Sequence, residues 1–168
     1  MSDEARLLAD LDTAGIAYTV HEHEAVFTVE ESADLHERIP GAHTKNLFLK
    51  NGKDRFWLVT MPHDRRADLK FIGQQTGAGK LSFAKPEHLL RLLGVTPGSV
   101  TPLGAINDVG GEVSVVLDAA FDPAATISVH PLRNTATLVL GFGDLVAMLE
   151  RWGHAPQIVA LQPEVVAG

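Results

Sequence analysis

The chain has 168 residues, of which 45% are hydrophobic and 21% charged; this composition is typical of one globular unit with a large core and excludes a disordered chain. It has no cysteine, which excludes disulfides, thiolate metal sites and a cysteine nucleophile. The net charge of −7 is the wrong sign for a protein that binds nucleic acid along its whole surface.

The first forty residues predict two helices and a short strand. Helical spacing of leucines predicts a helix over 3–14, which Gly15 would end. Alternating apolar and polar residues predict a strand over 16–20. A capping-box pattern at Thr28 predicts a second helix, which ends at about Arg38 before Pro40 and Gly41.

The rest of the chain predicts a hairpin and then a mixture of helices and strands. Residues 51–54 (Asn-Gly-Lys-Asp) are a typical hairpin loop between strands over 47–50 and 55–61. Asp64 is interpreted as a helix N-cap, and the chain after Gly153 as a soft end. The other predicted elements are helices over 66–75, 86–93 and 143–152 and strands over 80–83, 113–117, 126–129 and 135–140.

Helices and strands do not follow a strict βαβ rhythm, and a hairpin is present. We therefore expect a single α+β domain over residues 1–168, with a mixed, mostly antiparallel sheet surrounded by helices. The acidic N-terminus has no signal-peptide pattern, and no apolar run reaches about 18 residues. We expect a soluble cytoplasmic protein.

Several familiar catalytic patterns fail. Gly77-Ala78-Gly79-Lys80 lacks the first glycine and the final Ser or Thr of a phosphate-binding P-loop. Gly141-Phe142-Gly143 lacks the third glycine of a dinucleotide fingerprint. No Gly-x-Ser-x-Gly motif of a serine hydrolase is present. These patterns give no support to a nucleotide-dependent enzyme or a serine hydrolase.

Eight histidines raise the question of a metal site. His21 and His23 would lie on one face of a strand, but no third ligand is near in sequence and no His-Glu-x-x-His motif is present. We expect no metal and no cofactor. His130, at the end of a predicted strand, fits a buried core histidine and a pocket wall equally well.

Two further motifs suggest a pocket for a polar ligand. Lys45 and Asn46 precede the apolar run at Leu47, where hydrophobic residues are expected. Gly98-Ser99-Val100-Thr101-Pro102 is a loop that begins with glycine and closes with proline. Separately, Lys45 fits a solvated strand edge and the loop an irregular turn; together they would give one pocket a cation, an amide and backbone N–H groups.

These residues resemble the YbaK/ProX superfamily of aminoacyl-tRNA editing domains, which includes the insertion domain of bacterial prolyl-tRNA synthetases. The resemblance runs from about His23 to Leu149. The motif His43-Thr44-Lys45-Asn46 is similar to the lysine motif of the ProX branch, which is associated with hydrolysis of Ala-tRNA(Pro). The motifs that carry the resemblance are His43–Asn46, Asp64–Leu69, Lys85–Glu87, Gly98–Pro102 and the His130-Pro131 strand.

The resemblance implies a role for each site residue. Lys45 is implied to be the key lysine and would hold a phosphate or carbonyl oxygen. Asn46 and His130 are implied to line the site. We expect His130, with Ile39, Leu47 and Val129 as apolar neighbours, to form the wall that limits pocket size. The loop of Gly98, Ser99, Val100, Thr101 and Pro102 is implied to bind the aminoacyl group through its backbone N–H groups.

The implied activity is hydrolysis of mischarged Ala-tRNA(Pro) by a free-standing enzyme, with the ribose 2′-OH of the substrate assisting water attack. Other esters of the same class, such as Cys-tRNA(Pro) or Ser- or Thr-charged tRNA, stay open, as does a non-catalytic aminoacyl- or nucleotide-binding regulator. The net negative charge implies that the protein grips the acceptor end alone, through basic residues around Arg65, and leaves open a contribution from prolyl-tRNA synthetase. We expect a monomer.

Overall fold

The computed structural model describes residues 2–25 and 29–163, within which no helix is long and apolar enough to span a membrane. Its helices are α1 (Asp3–Thr13), α2 (Val29–Arg38), α3 (Leu69–Thr76), α4 (Pro86–Leu93) and α5 (Phe142–Arg151), with 3-10 turns at Pro97–Ser99 and Pro102–Asn107. Its strands are β1 (Tyr18–Glu22), β2 (Ala42–Lys50), β3 (Phe56–Pro62), β4 (Ser82–Phe83), β5 (Val113–Asp118), β6 (Thr126–Val129), β7 (Ala136–Gly141) and β8 (Gln157–Val159).

The eight strands form one mixed sheet in the order β1-β7-β6-β2-β3-β5-β8, and β4 pairs with β2 outside this path. The pairs β1–β7, β6–β7, β2–β3 and β2–β4 are antiparallel, whereas β2–β6, β3–β5 and β5–β8 are parallel. The prediction of an α+β fold with a mixed sheet is confirmed.

Strand β2 is paired along one edge but divided along the other. On one side, Thr44–Lys50 pairs with β3 without interruption. On the other side, Ala42 and His43 pair with β6 at one end, and Leu49 and Lys50 pair with β4 at the other. The stretch of β2 between these two pairings has no strand beside it in the described chain, and we call this opening the β2 gap.

The two faces of β2 contact different parts of the core. Phe48 belongs to the larger apolar cluster, which contains residues of α1, α4 and α5. Leu47 and Leu49 belong to a second cluster, which contains Ile72 of α3. Because successive side chains of a strand point to opposite faces, Lys45 is in phase with Leu47 and Leu49, whereas Asn46 is in phase with Phe48.

Two predicted boundaries are wrong near the expected site. Strand β2 begins at Ala42 and not at Leu47, because pairing with β6 extends it through polar residues. Helix α3 begins at Leu69, and its N-cap is Asp68, whose side chain accepts from Phe71 N at 3.1 Å; Asp64 is not the cap. The predicted capping residue Thr28 lies outside the described residues.

The expected soft end after Gly153 is also wrong for the described part of that segment. Residues Gln157–Val159 form β8, which pairs in parallel with β5, and Leu161 is completely buried. His154 is buried beside Asp108, with Nε2 2.9 Å from its Oδ2. This segment is held by contacts with residues far away in sequence, which a local pattern does not report.

Helix α2 packs on the sheet through a small apolar cluster of Leu35, Ile39 and Val139. Next to this cluster, three histidine rings from different elements lie together. The His36 ring stacks on that of His43 with a centroid distance of 4.1 Å, and it meets the exposed ring of His63 edge-on at 4.3 Å. We call this group the histidine triad.

Burial, together with a smaller effect of the neighbouring His43 and His63, lowers the pKa of His36 from 6.5 to about 4. The unfolded chain therefore takes up a proton near pH 6.5, whereas the folded protein keeps His36 neutral until about pH 4. Since the unfolded state binds more protons in this window, the free energy of unfolding decreases as the pH falls from about 6.5 to about 4.

We predict that His36→Gln weakens this pH dependence, because glutamine does not titrate. The measurement is urea unfolding at pH 7 and at pH 5 for the wild type, His36→Gln and the control His21→Gln, a histidine outside the triad. The wild type and the control should lose more stability than His36→Gln between the two pH values. Equal losses in all three proteins would contradict the interpretation of the triad.

Candidate active site

A cavity of about 330 Å³ opens at the end of the β2 gap that lies beside β6. Most of the residues that line it are polar, and they come from segments that range from the end of β1 to β7. They are His23, Leu35, His36, His43, Thr44, Asn46, Gly98, Ser128, Val129, His130, Asn134 and Thr137. The cavity thus joins three predicted site residues, Asn46, Gly98 and His130, that are far apart in the sequence.

Hydrogen bonds fix the amide of Asn46 at the cavity wall. Thr60 Oγ1 donates to Asn46 Oδ1 at 2.7 Å, and Asn46 Nδ2 donates to Thr44 Oγ1 at 3.0 Å. Thr44 Oγ1 in turn donates to Ser128 O at 2.8 Å, which links β2 to β6. An amide nitrogen has two hydrogens, so the second N–H of Asn46 is oriented by this chain and remains for a ligand.

His130 forms a neutral part of the wall. Its Nδ1 donates to Ala136 O at 3.0 Å, which leaves Nε2 as the acceptor of the neutral ring. Burial lowers the pKa of His130, and this effect exceeds the opposing effect of the Ala136 hydrogen bond; the charge of His23 lowers it further. An uncharged imidazole next to Val129 does not repel a cationic ligand.

The loop that connects β6 to β7 holds His130 and Asn134 in place. Leu132 has a φ of 70°, a left-handed conformation that is strained for a residue with a side chain. Arg133 ties this loop to α1 and β1, since its guanidinium lies 2.6 Å from Glu4 Oε2 and 2.6 Å from Glu22 Oε1. These two carboxylates raise the pKa of Arg133.

Gly98 and Asn134 lie close together in the cavity wall. A Cβ atom at position 98 would lie 3.0 Å from Asn134 Nδ2, so a larger residue there would displace the amide. Asn134 itself makes no hydrogen bond with the described residues, and its amide therefore has both donors and its acceptor available to a ligand. The glycine of the predicted loop serves as a site of close approach.

The other predicted loop residues lie away from this cavity. Val100 lines a neighbouring groove, and Ser99, Thr101 and Pro102 are buried. The N–H of Ser99 donates to Thr96 O at 2.9 Å, and it is therefore already occupied within the turn. Within the described part of the chain, Gly98 is the residue of this loop that lines the cavity.

Lys45 also lies away from the cavity wall. Its Nζ donates to Arg65 O at 2.7 Å, on the side of β2 that faces the start of α3. An ammonium group has three donors, and Arg65 O is the one partner that the described residues provide. The half-buried Lys45 is thus next to the cavity in sequence but on the opposite face of the strand.

Several polar residues of the cavity wall were not predicted from the sequence. Ser128 and Thr137 interrupt apolar strands, a signal like the one noticed at Asn46, and His23 Nε2 lies 2.9 Å from Thr137 Oγ1. Leu35, and not the expected Ile39 or Leu47, joins Val129 as an apolar part of the wall. Asn134 has no such signal, because it lies in a loop where polar residues are ordinary.

The arrangement suits a small, polar and uncharged or cationic ligand. Asn46 and Asn134, which carry amide donors, and His130, which carries the acceptor Nε2, line the same space, while Val129 and Leu35 provide a limited apolar surface. Within residues 2–25 and 29–163, no three His, Asp or Glu side chains are placed to hold a metal ion. The side chains here can orient a carbonyl group and an ammonium group.

Comparisons with known proteins identify the family. The sequence pattern of the aminoacyl-tRNA editing domain matches residues 23–148. The chain is 36% identical to the prolyl-tRNA editing protein ProX of Acetoanaerobium sticklandii, over 96% of this chain and 99% of that protein. It is 40% identical to the prolyl-tRNA synthetase associated domain-containing protein 1 of Mus musculus, over 92% of this chain and 94% of that protein.

Solved structures show the same fold. One, described as a candidate trans-editing enzyme for prolyl tRNA synthetase, superimposes with a TM-score of 0.73 at 23% identity and covers 98% of this chain and 99% of its own. The matched pattern spans β2, β6 and the loop that carries Asn134, and hence the whole wall of the cavity. On these grounds the chain belongs to the aminoacyl-tRNA editing domain family.

Proposed function

We propose that this protein hydrolyses the ester bond of mischarged Ala-tRNA(Pro), releasing free alanine and tRNA(Pro). The observation that carries the proposal is the convergence of Asn46, Gly98 and His130, from three separate segments, on one cavity. The family and the name of the ProX relative, a prolyl-tRNA editing protein, support the class of substrate.

The cavity offers a partner for each polar group of an alanyl ester. The oriented N–H of Asn46 is a donor for the ester carbonyl, whose oxygen gains negative charge when water attacks. The α-ammonium group finds acceptors in Nε2 of His130 and in the amide oxygen of Asn134. The methyl group packs against Val129, which belongs to the wall.

Hydrolysis of the alanyl ester but not of the prolyl ester requires the site to distinguish the two amino acids by their size. A synthetase built for proline cannot strongly exclude the smaller alanine, because each missing methylene contributes only about 1 to 3 kcal/mol. A second site that accepts alanine and rejects the larger ring corrects the error. We assign the rejection to His130, whose ring is fixed by its hydrogen bond to Ala136 O.

The attacking water needs little help from the protein. An ester to a ribose hydroxyl is already activated, and the neighbouring 2′-OH of the terminal adenosine can orient or activate the water. No carboxylate and no lysine lie among the described residues of the cavity wall, which is consistent with this substrate-assisted route. The enzyme then contributes placement of the ester and stabilisation of the developing oxyanion.

Lys45 is proposed to act on the tRNA backbone. Its ammonium is held by Arg65 O and keeps two donors for a phosphate oxygen. Exposed Arg65, Arg66 and Lys70 belong to the segment that Lys45 contacts and would extend this positive surface along the acceptor end. With a net charge of −7, binding should be weak and sensitive to salt, so prolyl-tRNA synthetase is proposed as a partner that adds affinity.

We predict rapid hydrolysis of Ala-tRNA(Pro), and not of Pro-tRNA(Pro), by the wild type. Lys45→Ala should reduce the single-turnover rate at subsaturating enzyme roughly 10- to 100-fold, as expected for loss of a charged hydrogen bond. The control Lys53→Ala removes the same charge from the hairpin loop. The measurement is single-turnover deacylation of tRNA(Pro) charged with Ala, Cys, Ser or Pro.

Hydrolysis of Cys- or Ser-tRNA(Pro) in preference to Ala-tRNA(Pro) would change the assigned amino acid. A relative in Escherichia coli, the multifunctional Ser/Thr-tRNA deacylase ProXp-y, is 30% identical over 100 residues, which makes this comparison worthwhile. Binding of charged tRNA without hydrolysis of any ester would instead favour a regulator. An equal effect of Lys45→Ala and Lys53→Ala would contradict the specific role of Lys45.

His130→Ala should relax the rejection of proline, because removal of the ring enlarges the cavity. We expect hydrolysis of Pro-tRNA(Pro) to rise roughly tenfold or more, while hydrolysis of Ala-tRNA(Pro) is retained at least in part. His21→Ala, outside the cavity, is the control. If both variants reject proline as the wild type does, His130 is not the residue that limits size.

Replacement of the 2′-OH of the terminal adenosine by hydrogen tests the route of water attack. We predict that the 2′-deoxy ester is hydrolysed at least about 100-fold more slowly at saturating enzyme, in the range attributed to general acid–base catalysis. Competition against intact Ala-tRNA(Pro) measures whether the two substrates bind equally. Equal rates for substrates that bind equally would exclude the substrate-assisted mechanism.

A further inference from the structure

A second opening lies beside the first in the β2 gap. It has a volume of about 230 Å³ and is lined by apolar residues that include Phe83, Pro86, Pro97 and Val100. Asn46 belongs to the wall of both openings, and Pro97 directly precedes Gly98 of the first cavity. The two openings therefore meet at Asn46, and we call the second one the Phe83 groove.

The backbone on which Phe83 lies is fixed, but its side chain is uncovered. Strand β4 pairs with the end of β2 in the register Leu49↔Phe83, and Ala84 N donates to Phe48 O at 2.9 Å. Phe83 nevertheless has 60% of its surface exposed, the one aromatic among the large exposed hydrophobic side chains of the described chain. An aromatic ring held on paired backbone and open to solvent is a stacking platform.

The geometry points to a purine base as the occupant. In the substrate of the proposed function, the alanyl group is attached to the ribose of the terminal adenosine, so the adenine lies one sugar away from the ester. We propose that the Phe83 groove binds this adenine, stacked on the ring of Phe83, while the ester lies at Asn46. The inference rests on the proposed function, since that function places the ester at Asn46.

The chemistry of the groove fits such a base. Nucleobases stack on exposed aromatic rings in proteins that bind single-stranded ends. The apolar surfaces of Pro86, Pro97 and Val100 would cover the other parts of the purine. Exposed Lys85, between the groove residues Ala84 and Pro86, offers a cation on this side for the phosphate that precedes the adenosine.

Substitution at Phe83 tests the assignment. Phe83→Ala should reduce single-turnover hydrolysis of Ala-tRNA(Pro) at subsaturating enzyme roughly 5- to 100-fold, the range for loss of one stacked base. Phe83→Trp should keep the activity, because the larger ring also stacks. The matched control is Leu90→Ala on α4, a large apolar side chain that is 64% exposed, and it should change the rate less than about twofold.

A binding measurement separates this proposal from the proposed function. The probe is 3′-alanylamido-3′-deoxyadenosine, an amide that is not an ester, observed by proton NMR with the wild type and Phe83→Ala. Stacking predicts an upfield ring-current shift of the adenine H2 and H8 signals in the wild type that is lost in Phe83→Ala. Thermal unfolding of both proteins should agree, since Phe83 is exposed.

The outcomes are distinct. If the wild type and Phe83→Ala hydrolyse Ala-tRNA(Pro) equally well, or if the adenine signals show no shift that depends on Phe83, the adenine site is overturned. The proposed function then stays in place. A wild type that hydrolyses no aminoacyl-tRNA would overturn the proposed function, and the NMR probe would still decide whether adenine stacks on Phe83. Reduced hydrolysis in Phe83→Ala together with loss of the shift would support the proposal.

Discussion

The division of one edge of β2 is the constraint on which the rest of the site depends. A strand in the middle of a sheet normally has a partner along both edges, which satisfies its backbone groups. Here β6 pairs with one end of β2 and β4 with the other, and the space between them is the first cavity and the Phe83 groove. The proposed substrate site is thus an interruption in a sheet, bounded by paired strands on two sides.

Alternation along β2 then assigns different tasks to neighbouring residues. Thr44 and Asn46 face the cavity and are linked to each other by a hydrogen bond, while Lys45 lies on the other face against Arg65 O. One strand can therefore contact the ester on one side and the tRNA backbone on the other. This division explains how a protein with a net charge of −7 could use a local positive surface without placing a lysine in the amino-acid pocket.

The sequence predicts much of this fold but less of the site. Local patterns identified α4 and β6 with the bounds that the structure has, since caps and apolar runs determine them. They failed at the start of β2 and at β8, because pairing with distant strands makes those elements. Asn46, Gly98 and His130 could be chosen from the sequence, whereas Asn134 depends on a loop held by Arg133 and on its approach to Gly98, which no local pattern contains.

The most direct test of the account is a crystal structure of the protein with 3′-alanylamido-3′-deoxyadenosine, which locates the amino acid without relying on turnover. We predict that the alanyl methyl group lies against Val129 and His130 and that the carbonyl oxygen lies within hydrogen-bonding distance of Asn46 Nδ2. An alanyl group bound on the opposite face of β2, beside Lys45 and Arg65, would contradict it.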